Sequence, residues 1–515
     1  MSKTVVYKIK SILGGQTPSI YVGQEGQFLS SIAIDPEDRV NSTLSKPSGI
    51  IIPTRYEKFS STNIDSAPNW FVTVPQNATL YAYLAGGRFV SYSSSLGSET
   101  SIGTPTSGNG WGAAYYNDYI YLRTGGDISR YGAISGSPSL SNTVWTSTFG
   151  KSSLSGSGSI SLRGVTYPLG QFHEHYGKLY FLDFNGNTGT VNFIQTSPTG
   201  GTDTGSTAAA LTLPVGFMPV CFESYGSDLA IVCITSSTYS SSSSIRMDNA
   251  VMFLWDTFSP KPYRKVSLSD PLATAIYTHN GVPYVWSGSI NSGTRLSRYV
   301  GGNQFESVEH IEGSLPPSQG AVDAVGNRLI WAGTTSFPST TASIFSRGYF
   351  NPALPSKALH NIGKITGTGT LPLITALKFL EQGTDRARPI IGWRTDTPSA
   401  FGIDKPSSTA TFGSTLYFEM VNIGQPFEIV KIRFPLADAV AANMSIVPTV
   451  YVDDASSSTA LDTINNTNFL NSERNASIKC NILGQHNFFI GLVFGGTALL
   501  PVAFPIEVTI EILSD

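Results

Sequence analysis

Charge is what this chain has least of. Asp, Glu, Lys and Arg together make up 13% of its 515 residues, about half the usual quarter. Surface charge keeps soluble monomers apart. A folded chain this poor in it works in an oxidising exterior, keeps its surfaces covered by partners, or carries Ser/Thr/Gly loops that are polar without being charged. Thirty-two basic residues against 35 acidic leave a net charge of −3, with no long basic run. That argues against a surface for sequence-specific or duplex nucleic-acid binding. Cysteine is scarce as well. Cys221, Cys233 and Cys480 are too few for a disulfide framework, and no Cys-x-x-Cys or Cys/His spacing marks a zinc site. Cys221 and Cys233 flank one candidate hairpin, as buried thiols first and as a pair second. No apolar run approaches the roughly 20 residues of a membrane span. Residues 1–10 alternate basic and apolar side chains without the apolar stretch of a signal peptide. No amphipathic helical period of useful length is present either. The best helical candidate, 372–382, is equally legible as a strand.

What is there is a repeat. A tight turn followed by an alternating strand rich in Tyr and β-branched residues appears at Tyr81–Leu84, and again at 117–122, 176–181, 225–231 and 280–286. Further copies stand at 325–331 and, more weakly, at 388–393. Asn-Gly, Gly-Asn and Asn-Asp pairs supply the positive φ that a hairpin turn requires, and the runs that follow bury alternate aromatics. Copies recur every roughly 40 to 60 residues, the length of a four-stranded propeller blade. The irregular spacing does not fit WD40 or kelch signatures. Ser/Thr/Gly stretches at 197–208 and 236–244 read as loops between strands. The expected fold is therefore all-β, with a propeller of about seven blades over residues 49–410. A solenoid of stacked β units is the rival architecture. Residues 50–59, just ahead of the first copy, could supply the missing strand of the last blade.

Residues 1–48 read as an extended arm or small β segment, punctuated by Gly14, Gly15, Gly23 and Gly26. Such an arm could pair with a neighbouring subunit or fold back on its own propeller. From about 411 the repeat stops. Strand-like runs at 415–422, 429–435, 444–452, 476–482, 488–493 and 506–513 have the density of an antiparallel β-sandwich, assigned to 411–515.

Constellations with chemistry are few. His173-Glu174-His175 would put two imidazoles on one face of a strand, with no third metal ligand identifiable. The run from Asp183 to Gly189 opens like a calcium loop but lacks the downstream Glu, and an Asn-Gly hairpin accounts for every residue. Asp65, Asp118, Asp127, Asp228, Asp323 and Asp404 could furnish the carboxylate pair of a glycoside hydrolase. Several of them stand where turn chemistry alone would place them. The Ser/Gly run at 155–158 is low complexity rather than a nucleophile elbow. Asn-x-Ser/Thr triplets begin at Asn41, Asn77, Asn443, Asn465 and Asn475 and read as chance in a Ser/Thr-rich chain. No catalytic, cofactor or metal residue is assigned, and no enzyme is expected.

The segments 23–36 (GQEGQFLSSIAIDP), 48–59 (SGIIIPTRYEKF) and 440–454 (VAANMSIVPTVYVDD), with the repeat between them, resemble virion proteins of tailed bacteriophages of the propeller-plus-sandwich type. Propellers in the tail nozzles of short-tailed phages are the nearest likeness, although no diagnostic nozzle motif is present. The resemblance implies a structural virion subunit of the tail or head–tail junction. Its partners would be copies of itself and other virion proteins, and it would be assembled in the host cytoplasm and released by lysis. The alternative it leaves open is a tail-associated module that binds a host receptor or surface glycan through exposed aromatics; Trp111, Trp145 and Trp286 are among the rings available, most of them equally good as core residues.

Overall fold

The structure is a computed structural model that describes residues 3–9, 28–32, 56–59, 64–93, 99–105, 109–155, 159–162, 165–186, 188–198, 201–235, 249–289, 293–326, 328–335, 341–351, 354–380, 389–407, 414–418, 420–435, 444–453, 457–467, 475–496 and 508–514. Eight antiparallel sheets among these residues have four strands. Seven of them are propeller blades that follow one another along the chain. Their first strands are Pro68–Val74, Gly112–Tyr116, Phe172–His175, Phe217–Tyr225, Leu272–His279, Val322–Val325 and Leu373–Lys378. These strands touch in that order, and the seventh returns to the first. They are the inner wall of a closed ring. Within the stretch at 372–382, Leu373–Lys378 is thus the inner strand of blade 7, and the described residues there form no helix.

The copies of the repeat fall on the second strands of the blades and, where they are described, on the turns into them. A second strand is sandwiched between two neighbouring blades, so both of its faces are apolar. Leu229 to Ile234 in blade 4 is buried throughout, as is Leu179 to Phe184 in blade 3. The turns have the expected handedness. Asn117 and Asp118, Tyr176 and Gly177, and Asn280 and Gly281 all hold positive φ, as two-residue hairpin turns require. Cys221 and Cys233 are free, buried thiols on the first two strands of blade 4. Burial pushes both well above the ordinary thiol range, which makes them inert.

The ring closes as the sequence suggests. Tyr56–Lys58 is the outer strand of blade 7, paired Tyr56 to Pro406 and Lys58 to Asp404. Residues 50–55 lie outside the described residues. Every seam between blades is also stitched by at least one hydrogen bond. Trp70 Nε1 donates to Trp111 O at 2.7 Å across seam 1–2, and Gly170 N donates to Trp111 O across seam 2–3. Gln171 both donates to and accepts from the Phe222 backbone, at 2.8 Å each way. Thr278 Oγ1 donates to Ser224 O. Gln319 clasps the Ile276 backbone in the same two-way fashion. Ser318 donates to Thr375 O, and Thr375 donates to Pro68 O at 2.5 Å. Seam 2–3 is the tightest: a Cβ on Gly112 would lie 1.5 Å from Gly170 O, so only glycine lets these backbones meet.

The remaining sheets form the sandwich. One has the order Lys3–Ile9, Val508–Ser514, Phe427–Pro435, Asn475–Gly484. The other is built on Phe28–Ile32, Ser414–Phe418, Asn487–Gly496 and Met444–Val452. Ile429, Ile432, Ile510 and Ile512 from the first sheet share one core with Leu416, Ile446, Leu492 and Phe494 from the second. The described strands of the N-terminal segment therefore belong to the sandwich sheets. The glycines at 14, 15, 23 and 26, and the sites at Asn41 and Asn443, lie outside the described residues.

Candidate functional site

The first-to-second-strand turns open on one face of the ring, and five blades in succession send titratable side chains to that end of the inner wall. Blade 3 contributes His173 and His175, which share Ser224 of blade 4: its Oγ lies 2.7 Å from His173 Nε2 and 2.8 Å from His175 Nδ1. His175 Nε2 lies 3.1 Å from Ser227 O. Glu223 Oε1 lies 3.0 Å from His173 Nε2 and accepts Ser224 N at 3.1 Å. A second arc follows. Tyr277 of blade 5 donates to Asp323 of blade 6 at 3.3 Å, and Lys378 of blade 7 lies 3.6 Å from the same carboxylate. The two arcs sense each other through space, because burial, then Asp323 and Glu223, raise the Tyr277 phenol.

Burial pushes the Glu223 carboxyl up to about 8, with Asp323 adding to it. Burial and the neighbouring His175 bring His173 down to about 4. Both groups are thus neutral at pH 7. For Glu223 the folded value exceeds that of a free glutamate, about 4.3, so the folded state holds the proton more tightly. Its contribution to stability is complete below about pH 4.3 and is lost as pH rises to 8. His173 has the opposite sign, with a contribution complete above about pH 6.5 and lost as pH falls towards 4. Glu223→Gln is therefore expected to flatten the fall in thermal midpoint between about pH 4.3 and 8. An unchanged slope in that window would show that Glu223 titrates in the fold as it does in water.

The opposite end of the ring carries an insertion. A two-stranded hairpin, Ser159–Leu162 with Val165–Pro168, is inserted between blades 2 and 3. Its Tyr167 is buried and donates to Pro316 O at 3.0 Å. Pro316 lies in the connection between blades 5 and 6, almost diametrically across the ring, so the hairpin spans the axis. Ile160, Tyr167 and Leu169 join Met218, Leu272, Leu315 and Leu373 in one apolar cluster. The hairpin packs across the inner strands at one end of the ring, and the His173–Glu223 network stands at the other.

The structure distributes the other sequence candidates. Asp183 pairs with Arg123 at 2.7 Å and accepts Ser155 N at 2.9 Å, while Asn185 Oδ1 accepts Thr188 N in a plain turn. Among the described residues no three His, Cys, Asp or Glu side chains are placed to hold a metal ion. Asp65 faces Arg88 at 3.1 Å. Asp118 holds Ser135 N, Asp127 holds Ile128 N and Trp145 N, and Asp404 holds Thr366. Asp228 accepts the Tyr263 hydroxyl. Each of these carboxylates is held separately, by a nearby turn or by a partner on another strand, and they are not brought together. Trp145 and Trp286 are fully buried in the core, the core reading of the two that the sequence left open. Trp111 is half-buried. Among the described residues, the large aromatics that do face solvent are Tyr176, Phe258 and Tyr263. Sequence reasoning passed over Glu223, yet a signal was there: a lone carboxylate in the apolar run Val220-Cys221-Phe222-Glu223. Among the described residues no helix is long and apolar enough to cross a membrane.

The class this geometry defines is the β-propeller, seven blades closed by an N-terminal strand and joined to a β-sandwich. No family model matches the chain, and no curated protein does. Among solved structures it is similar to the computationally designed Ika8 protein, at 10% identity over 67% of this chain and 99% of that one, with a TM-score of 0.36. It is likewise similar to a chain in a mitotic checkpoint complex, at 11% identity over 71% of this chain and 96% of that one, with a TM-score of 0.41. These likenesses concern fold alone.

Proposed function

We propose that this chain is a structural subunit of a bacteriophage virion, part of the tail or its junction with the head, that acts by assembly and not by catalysis. The observation that carries the reading is the pair of open edges on the sandwich. Its four-stranded sheet ends on Lys3–Ile9 and Asn475–Gly484, strands of seven and ten residues that no other described strand pairs. Open edges of that length are templates for strand addition from another chain. A chain with 13% charged residues has little charge with which to repel a second copy. The stitched ring with its spanning hairpin fits the same role, as a rigid block whose polar network faces inward.

The test is light scattering with electron microscopy on the full chain, beside Val6→Lys and Leu483→Lys. Both side chains are exposed on the edge strands, and a new lysine there discourages pairing. The full chain is expected to form rings or larger assemblies, and each variant to shift towards the monomer with its thermal midpoint unchanged. A full chain that stays monomeric at high concentration sinks the reading.

A further inference from the structure

The outer rim between blades 3 and 4 carries a groove of about 620 Å³. One wall is the connection into blade 4, with Pro214 and Val215, and Phe253 forms part of the lining. The other wall is the segment Pro260-Lys261-Pro262-Tyr263-Arg264-Lys265. We propose that this groove binds a segment of anionic polysaccharide, with its acid groups on Lys261 and Lys265 and a sugar face against the exposed Tyr263 ring, Phe258 standing on the same connection. The inference stands apart from the assembly reading and does not need it.

Charge comes first. Lys261, Arg264 and Lys265 border the groove and none of them pairs with a carboxylate among the described residues, but Arg264 turns its guanidinium to the blade 5 side, so the cations the groove presents are Lys261 and Lys265. Arg264 is hydrogen-bonded to neutral oxygens, Tyr299 Oη at 3.1 Å and Gly302 O at 3.3 Å. The Lys265 ammonium lies 4.5 Å over the Phe217 ring. Two carboxylates stand nearby, outside the lining, and both are committed. Asp228 accepts the Tyr263 hydroxyl. Asp256 accepts Ser259 N, Phe258 N and the Ser259 hydroxyl at 2.6–3.0 Å. In a chain this short of charge, two lysines in one groove without a carboxylate partner call for an anionic occupant.

The exposed ring in the lining is Tyr263. Tyr263 is 52% exposed, and its bond to Asp228 fixes the ring's orientation. Phe258, on the same connection, is 89% exposed, a large apolar side chain left in water at a rim where monomers usually leave none. Pro260 and Pro262 hold the wall between them in place, so little ordering remains to oppose binding.

The backbone disfavours a peptide on that wall. A strand added there would need main-chain donors. Pro260 and Pro262 have none, and Tyr263 N is already bonded to Leu254 O. What the wall offers a ligand is cation ends and ring faces.

The experiment is calorimetric titration of the full chain with a galacturonate oligosaccharide and with a sulfated heparin fragment. Neutral dextran and poly-L-glutamate are the comparators. At least one acidic saccharide is expected to bind, dextran not at all, and poly-glutamate far more weakly. Lys261→Ser with Lys265→Ser, and separately Phe258→Ser, are expected to weaken saccharide binding by about tenfold or more. Their thermal midpoints should not move, because all three side chains are exposed. Binding of neither saccharide overturns the proposal, as does binding that the variants leave intact. Poly-glutamate binding of equal strength, lost in the same variants, would overturn it in favour of an acidic peptide. Because the readout is binding per chain, it has the same meaning whether the protein is monomeric or assembled.

Discussion

Arg123→Met is expected to lower the stability of the propeller by about 3–5 kcal/mol, while the double variant Arg123→Met with Asp183→Leu should recover most of that loss. Arg123 ends the second strand of blade 2, and Asp183 stands in the second strand of blade 3. Their side chains are 1% and 9% exposed and meet at 2.7 Å. Removing the guanidinium leaves Asp183 buried with only the Ser155 amide for company. An uncompensated buried carboxylate is among the costliest things a core can hold. Removing both charges takes away that penalty, and Phe181, whose ring lies 5.7 Å from the guanidinium, gains apolar neighbours. The geometry of the pair is good but incomplete, since Arg123 Nη1 has no hydrogen-bond partner and burial lowers the guanidinium's hold on its proton despite Asp183. Its net worth over an apolar replacement is therefore small, although the cost of breaking it is large. Urea midpoints of the two single variants and the double variant decide the matter. A double variant as unstable as the single would mean that the pair holds seam 2–3 in register and is more than a compensated charge.

How much of this was legible depended on which strand of a blade was asked. Second strands lie between two blades, so Leu229–Ile234 or Leu329–Trp331 must be apolar on both faces, and the turn before each must hold positive φ. Two constraints on adjacent residues make a phrase that repeats seven times and can be counted. The sandwich strands were equally readable, because Met444–Val452 and Phe427–Pro435 are bounded by glycine, proline and polar turns. First strands are a different matter. They form the inner wall of the ring, and their ends carry His173, Glu223 and Asp323, whose partners come from the next blade some 50 residues away. Nothing local in the chain announces such a contact. The spanning hairpin was hidden for a further reason. Its strands of four residues follow a Ser/Gly run, and the residue that matters, Tyr167, finds its partner 149 positions on. The rim groove was invisible too, since unpaired cations and exposed rings are defined by what fails to approach them.

Closing a ring is a demand that no single blade makes, and it yields the second large effect. Tyr56→Ala and Phe59→Ala are each expected to cost about 3–5 kcal/mol, and their effects should spread well beyond the strand they belong to. Tyr56 is buried in the core of blades 6 and 7, and its hydroxyl donates to Pro389 O at 2.9 Å. Phe59 N donates to Ile403 O at 2.7 Å, and its ring meets Tyr92 of blade 1 edge-on at 5.6 Å. One residue thus secures the outer strand to blade 7 and the next but two secures blade 7 to blade 1. Tyr56→Phe keeps the packing and gives up only the bond to Pro389 O, so about 1 kcal/mol is expected from it. The comparison that gives these numbers meaning is Val266→Ala, in the outer strand of blade 4, Arg264–Ser267. Val266 is just as buried, but its strand comes from the same stretch of chain as the rest of its blade, and losing its packing leaves the ring shut. Hydrogen exchange read by mass spectrometry separates the two cases. With Phe59→Ala, the second strands of blades 7 and 1, Ile390–Thr395 and Asn77–Leu84, should lose protection together. With Val266→Ala, faster exchange should stay within blade 4. If Phe59→Ala also stays local, the seam hydrogen bond from Thr375 to Pro68 and the inner apolar contacts suffice to close the propeller, and the N-terminal strand is a trim on a ring already shut.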